Sequence, residues 1–365
     1  MARKPLFRLP FTHPFVIISL LLTIFGIFMI YEASSISAIR IYGDAFYFVK
    51  AQLRWFGVAM IAFVFFSMLD YHLLYSLALP ILLGNLFLLM IVFVPGLYTT
   101  ALGAKRWLHI GFINIQPSEL TKMSLIIYLS AWFSFKERSR FVAFLFLASV
   151  VIGLVMIQPD LGTAVILGIM AVFLYFVSGA PLYHLGFIIP VAFVVVGFLA
   201  ISSPYRFQRL VTFANPDSDP QGIGYHVKQI NIALSLGGVG GVGFGNSRQK
   251  FQFLPEAHTD SIFAIIGENF GFIGTSLIAV SYMSLLYLAY KRFGEIRDRL
   301  GYLLASGIIF LIGLQTLINL GAMVQLLPLT GVPLPFISYG GSSLVTFYIL
   351  LGILVNILNQ QQKRA

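Results

Sequence analysis

Apolar runs of roughly twenty residues recur along this chain, and no other feature limits its fold so strongly. They lie near 14–33, 54–69, 74–95, 119–135, 141–157, 162–179, 183–202, 260–290, 302–327 and 341–359. Within a bilayer every backbone N–H and C=O must be satisfied internally, which leaves helices as the solution for runs of this length. Composition agrees: 59% of the 365 residues are apolar and 10% charged, whereas soluble domains carry about a quarter charged residues. The mean hydropathy is +0.92. The expected fold is an all-α polytopic membrane protein with about ten transmembrane helices, read as one membrane domain over 1–365. A long extracytoplasmic loop, near 203–259, is expected between helices seven and eight. No repeat of fixed period is evident and no soluble domain is appended, so chemistry or transport must occur in the bundle or its outer loops.

The chain has no cysteine, which excludes disulfides, thiolate metal sites and cysteine nucleophiles. Its net charge of +10 points to anionic lipid headgroups or a phosphorylated substrate, and nucleic acid does not suit so apolar a chain. The basic start MARKPLFRLP precedes an apolar run without a small-residue cleavage site, and is read as leading a retained first span. Arg3, Lys4 and Arg8, then Lys136, Arg138 and Arg140, then Lys291, Arg292, Arg297 and Arg299, and finally Lys363 and Arg364, fall on one side of ten spans. Both termini are therefore expected in the cytoplasm, with the chain in the cytoplasmic (inner) membrane. Nearly as many basic residues fall on the other side. They concentrate in the first outer loop and in 105–122 and 206–250, which places the polar chemistry on the extracytoplasmic face.

The stretch 237–274 holds the densest chemistry: a glycine-rich run, then Arg248 and Lys250, then Pro255, Glu256, His258 and Asp260 before an apolar segment. An acid at the mouth of a membrane helix is costly, so it is paired, solvated or functional. Asp260 is read as a reactive carboxylate; the alternative is a helix cap shared with Thr259 and His258. At 100° per residue, Gly267, Gly271 and Gly274 fall within about 40° of Asp260 and form a small-residue stripe for a neighbouring helix or lipid chain. Glu268 lies about 80° from that stripe, roughly two turns deeper. Glycines such as Gly243 and Gly245 admit backbone conformations in which successive amides cradle an anion. Alone they could be a hinge; followed by Arg248 and Lys250, they read as a diphosphate site.

Other groups are more ambiguous. Glu119 and Lys122 share a helix face behind the start Pro117-Ser118 and can neutralise each other, either as a structural pair or as part of Asp260's cavity. Lys105 and Arg106, beside Trp107, suit an interfacial anchor. In the turn 158–163, Asp160 suits a cap for the sixth helix, yet it is a second carboxylate on the outer side. An interfacial amphipathic helix is expected over 224–236. The last outer loop, 327–343, is stiffened by Pro328, Pro333 and Pro335, and Ser338, Ser342 and Ser343 offer hydroxyls without a sequence-adjacent base.

The runs GNSRQKFQFLPEAHTDSIFAIIGE, VPLPFISYGGSS, GAKRWLHIGFINIQPSELTK, IQPDLGT and YRFQRLVTFANPDSDPQGIGYH resemble the FtsW/RodA/SpoVE proteins, known collectively as SEDS proteins. The resemblance covers nearly the whole chain, and the GNSRQKF…LPEAHTD form is more similar to the division branch, FtsW, than to the elongation branch, RodA. Two positions depart from the family pattern: Ser261, where an aromatic residue is usual, and Asn269, where a second acid is frequent. The resemblance implies a ten-span peptidoglycan glycosyltransferase that polymerises lipid II at the outer face and releases undecaprenyl diphosphate. Asp260 matches the family's essential aspartate and would act as general base. Arg248, Lys250 and a divalent cation, Mg2+ or Mn2+, would stabilise the departing diphosphate, and no organic cofactor is implied. Gly243, Gly245, Glu119, Lys122, Arg106, Asp160, His258 and Ser338 are the further candidates for substrate contact. A class B penicillin-binding protein and other divisome or elongasome membrane proteins are the implied partners. The competing readings are an elongation-type RodA polymerase, a lipid II flippase without covalent chemistry, and a non-catalytic scaffold for a transpeptidase. A flippase needs no base at the outer face, and the inner halves of the spans are almost entirely apolar.

Overall fold

The computed structural model describes residues 10–96, 98–101, 104–110, 113–135, 140–201, 204–219, 222–251 and 254–364. Lys136, Arg138 and the basic residues before position 10 lie outside these. In chain order come α1 (Pro14–Tyr42), α2 (Tyr47–Met68) and α3 (Leu73–Ile91), then strands β1 (Tyr98–Ala101), β2 (Ala104–Ile110) and β3 (Ile113–Ile115). Next are α4 (Pro117–Ser134), α5 (Phe141–Ile157), α6 (Leu161–Val177) and α7 (Leu185–Ile201). Then follow α8 (Pro204–Ala214), α9 (Ile223–Gly237), α10 (Ile262–Tyr290), α11 (Arg299–Met323) and α12 (Gly341–Arg364).

Each apolar run thus forms one helix. Among the described residues six helices (α1, α2, α3, α10, α11 and α12) are long and apolar enough to cross a membrane, and Phe141–Ile157, Leu161–Val177 and Leu182–Val195 are shorter apolar helices. This is a multi-pass membrane protein. Two features modify the all-α expectation. The alternating run before Pro117 pairs into a three-stranded antiparallel sheet, with Leu108 opposite Ile115, as period-two alternation allows. The long loop is largely helical: α9 matches the amphipathic helix expected over 224–236, whereas α8 was not anticipated.

At the centre stands α12. Of its apolar window 94% is buried, as expected for a helix apolar on every face, and α2, α4 and α11 pack around it. At the periphery α7 presents Phe193, Val194 and Phe198 outward, a face that lipid can cover. Midway along α10, Gly271 leaves the helix (φ 62°, ψ −158°), a conformation that only glycine adopts readily. The glycine run of 237–243 fills this kink. Phe272 and Ile273 donate to the carbonyls of Gly238 and Val239 (2.9 and 3.1 Å), and Val242 and Gly243 donate to those of Glu268 and Asn269 (both 3.0 Å). The small-residue stripe of α10 therefore receives the end of α9 and its loop rather than a lipid chain.

A buried ionic brace sets the 327–340 loop between α11 and α12 in place. Lys122 Nζ lies 2.7 Å from Glu119 Oε1 and also donates to Gln315 Oε1 at 2.7 Å. Gln315 Nε2 then donates to the Pro333 carbonyl at 2.8 Å. Lys122 is fully buried and stands 5.6 Å from the Phe347 ring centroid. Losing one member of such a pair strands a charge in an apolar place, at about 3–5 kcal/mol, while losing both costs less. Lys122→Met should therefore lower thermal stability in detergent more than Glu119→Gln/Lys122→Met does. Strict additivity in that double-mutant cycle would mean that the two side chains are uncoupled.

Candidate active site

Asp260 sits in the turn before α10, two residues earlier than the helix proper. Ser261 is the N-cap residue, and no side chain caps this helix, so Asp260 is not spent as a cap. Its backbone carbonyl accepts from Asn319 Nδ2 at 2.9 Å, and the same amide donates to Val332 at 2.9 Å. The 330–332 segment is thereby tied against the aspartate, and a β-carbon on Gly331 would come within 3.8 Å of Asp260 Oδ2. The carboxylate accepts a long bond from Thr259 Oγ1 at 3.4 Å and one from its own backbone N–H. With the residue 9% exposed, burial pushes its pKa up to about 7. The Glu256 carboxylate adds to the rise and the Arg209 guanidinium opposes it. Desolvation with little compensating hydrogen bonding is the condition that turns a carboxylate into a proton acceptor near neutrality.

The loop between α11 and α12 wraps over this turn. Tyr339 donates to the His258 carbonyl at 2.9 Å, and the His258 ring lies 4.4 Å from that of Phe48. Burial holds the His258 imidazole below its ordinary pKa. Ser338 Oγ accepts from Leu334 N at 2.8 Å, so its hydroxyl shapes the loop. Asp160 caps α6 through Thr163 N at 3.2 Å and accepts from Ser118 Oγ at 3.2 Å. Gly162, two residues on, packs against Thr330 and Val332. The 330–332 segment is thus backed by the Asp160 turn and adjoins Asp260. Arg106 donates to the carbonyls of Gln158 and Pro159, clamping the turn that carries Asp160. The Lys105 side chain lies outside the described residues. Glu119 and Lys122 are engaged with each other and with Gln315, beneath the same loop.

The glycine-basic run behaves differently from the open cradle that its sequence suggests. Gly243 N donates to Asn269 O, and Gly245 N donates to Glu32 Oε1 at 3.2 Å. Lys250 Nζ pairs with Glu32 Oε1 at 3.1 Å and donates to the Gly245 carbonyl. The two amides and Lys250 therefore serve the protein's own groups, and a carboxylate from α1 occupies the anion position. Arg248 is exposed, while its backbone N–H is held by Glu268 Oε1 at 2.8 Å.

Several contributing residues escaped sequence reasoning. Arg209, on α8, donates to Leu329 O at 3.1 Å and acts electrostatically on both Asp260 and His226. Burial pushes His226 down to about 4, and its Nε2 lies 2.7 Å from Ser261 Oγ. Asn319 and Gln315 were detectable: amides inside an otherwise apolar span need buried partners. Glu32 carried the same signal, as an acid toward the C-terminal end of the first span.

The chain matches the family described as Cell cycle protein (FtsW/RodA/SpoVE) over residues 12–363. It is 38% identical over 343 residues to a probable peptidoglycan glycosyltransferase FtsW of Geobacter metallireducens, covering 92% of this chain and 91% of that one. Stage V sporulation protein E of Bacillus subtilis is 37% identical, covering 94% of this chain and 95% of its own. Among solved structures, a chain from a peptidoglycan synthase complex that coordinates polymerization and crosslinking superposes with a TM-score of 0.78 at 25% identity, covering 95% of this chain and 97% of that chain. The rod shape determining protein RodA of Thermus thermophilus gives a TM-score of 0.69 at 25% identity, with 95% of both chains covered. With its apolar helices, their connecting loops and the Asp260 turn all inside the matched span, this chain belongs to the FtsW/RodA/SpoVE family.

Proposed function

We infer that this chain is a peptidoglycan glycosyltransferase that polymerises lipid II, with Asp260 as general base. The observation that carries the reading is a buried carboxylate pushed up to about 7, uncapped and held between two outer loops. In this mechanism an acceptor sugar hydroxyl attacks the anomeric carbon of the lipid-linked donor. Asp260 takes the hydroxyl proton, the new glycosidic C–O bond forms, and the C–O bond to the diphosphate breaks. Undecaprenyl diphosphate leaves with the electron pair, and a single displacement inverts the anomeric centre. The leaving group is already good, so a second carboxylate, as glycosidases use, is not required. Arg248 is the exposed cation suited to meet the charge growing on the diphosphate. The likeness to relatives that carry the FtsW name supports a role in septal wall synthesis during division.

A divalent cation fits this chemistry. Among the described residues no group of three or more His, Asp or Glu gathers to hold a metal alone. Mg2+ commonly takes one or two carboxylates and completes its shell with substrate phosphates and water. Glu256, exposed in the same turn, would be the protein's ligand, leaving Asp260 to its base role, and the ion would supply charge neutralisation at the diphosphate. Supported by the likeness to a chain of a peptidoglycan synthase complex, the partner is a class B penicillin-binding protein, which would add the crosslinking activity. The alternation of basic loops supports cytoplasmic termini and an extracytoplasmic site.

Asp260→Asn keeps the shape and loses the base, so polymerisation of labelled lipid II should fall by at least about a hundredfold in a protein that still folds. A near wild-type rate would remove Asp260 from the base role. The working form is the carboxylate, so the rate should climb with pH: about tenfold between pH 6 and pH 8 for a group with a pKa near 7. Glu256→Gln removes a charge that raises this pKa, and the midpoint should move to lower pH.

Arg248→Ala should lower polymerisation by about tenfold to a hundredfold, the loss expected for one charge-assisted contact. Arg248→Lys should recover only part of it, because an ammonium cannot make bidentate contact with phosphate oxygens. Affinity for undecaprenyl diphosphate is the deciding measurement. If it is unchanged in Arg248→Ala while partner binding is lost, this loop is a docking surface instead.

A further inference from the structure

Two buried carboxylates from distant helices converge on one short loop, and the reaction just described uses neither. Glu268, on α10, is fully buried. It accepts from Ser247 Oγ, from Arg248 N at 2.8 Å and from Gln249 N at 3.4 Å. Glu32, on α1, is 3% exposed. It accepts from Gly245 N at 3.2 Å and from Lys250 Nζ at 3.1 Å. Together they receive donors from both sides of Arg248, the exposed cation of the segment. Ser247 Oγ also accepts from Lys250 N at 3.3 Å, which links the two attachments. Packing completes the fastening: the Phe28 ring of α1 stacks on that of Phe244 with centroids 4.4 Å apart.

Buried carboxylates are costly unless several donors satisfy them, so a loop supplying five donors to two of them has little freedom to move. Long side chains at the edge of a site lose effectiveness when their backbone wanders, because an ångström of misplacement is enough to weaken a transition-state contact. We propose that Glu32 and Glu268 form a two-point clasp that positions Arg248 for the donor diphosphate, and that Lys250 is a member of the clasp rather than a substrate ligand. This rests on Arg248 meeting the diphosphate, as set out above. Glu32 and Glu268 are positioning residues: their influence on the reaction passes through Arg248. Because one anchor is on α1 and the other on α10, the relative placement of these two helices sets where the guanidinium stands.

The test is a set of double-mutant cycles on the full chain, read as lipid II polymerisation and as affinity for undecaprenyl diphosphate, with thermal unfolding as the check on folding. Glu268→Gln and Glu32→Gln should each lower polymerisation by about tenfold or more and weaken product-lipid binding. In the Arg248→Ala background the same substitutions should cost no more than about twofold further, since the group they position is gone. Ser247→Ala removes one donor and keeps the carboxylate. It carries the same expectation where Glu268→Gln fails to fold. Lys250→Met should be impaired in both stability and polymerisation. Glu32→Gln/Lys250→Met should regain thermal stability, because the stranded carboxylate is neutralised with it, but not polymerisation, because that attachment stays open. Losses that multiply in the Arg248→Ala background, or full polymerisation in the double variant, overturn the clasp while leaving Arg248 as a diphosphate ligand. Wild-type polymerisation and lipid affinity in Arg248→Ala would instead remove the diphosphate reading itself, and the clasp's purpose with it.

Discussion

Charge buried in an apolar bundle must find partners, and this requirement organises the molecule from its centre to its outer face. Lys122 is fully buried and reaches both Glu119 and Gln315 at 2.7 Å. Through Gln315 the same network grips Pro333, and through Asn319, one turn further along α11, it grips both Val332 and Asp260. The 327–340 loop is therefore suspended from two amides on one helix, set four residues apart and facing the same way. The proline-rich segment closes over the Asp260 turn because these buried polar groups have no water to turn to.

Against that background Asp260 is the exception that needs a function. Glu32, Glu119 and Glu268 each accept at least one donor within 3.2 Å, and Asp160 caps a helix. Asp260 receives a long bond from Thr259 and one from its own backbone N–H, yet burial still raises its pKa to about 7. Glu119 also keeps one buried oxygen, Oε2, without a partner, but it is neutralised by Lys122. No cation is paired directly with Asp260 among the described residues, and basicity is stored there. Arg209 limits the rise without contributing a direct hydrogen bond to the carboxylate, its guanidinium being engaged with Leu329. The competing charges of Glu256 and Arg209 place the group near the pH at which a base can both exist and be strong.

Much of this was legible in the sequence because helices in membranes announce themselves by length. Ten apolar runs became ten helices, and the amphipathic helix over 224–236 became α9, since periodic burial of Val227, Ile230 and Ala233 is written locally. What escaped was written non-locally. Nothing around Glu32 reveals that Gly245, more than two hundred positions away, will donate to it. The glycine run therefore read as an empty anion cradle when the fold supplies its own carboxylate. Likewise Gly271 looked like part of a packing stripe. Its positive φ is set by the loop of 238–243, which lends the kinked helix the hydrogen bonds it loses. The strands before Pro117 were visible only as alternation, because short strands gain their identity from the partners they pair with.

The position of the kink ties the remaining parts together. In α10 the first two turns carry Asp260's turn at one end and Glu268 near the other, and Gly271 then breaks the helix. This leaves a short helical segment between two carboxylates: Asp260, the proposed base, at its start and Glu268, which holds Arg248's backbone, about two turns further on. An unbroken helix would fix both groups to the membrane-spanning half of α10. The break gives that segment its own attachments, through α9, the glycine loop and α1, so Asp260 and the backbone of Arg248 share one support. In the proposed displacement, where proton removal and leaving-group departure occur on opposite sides of one carbon, a shared support for the proposed base and the proposed diphosphate ligand is the arrangement that the chemistry demands.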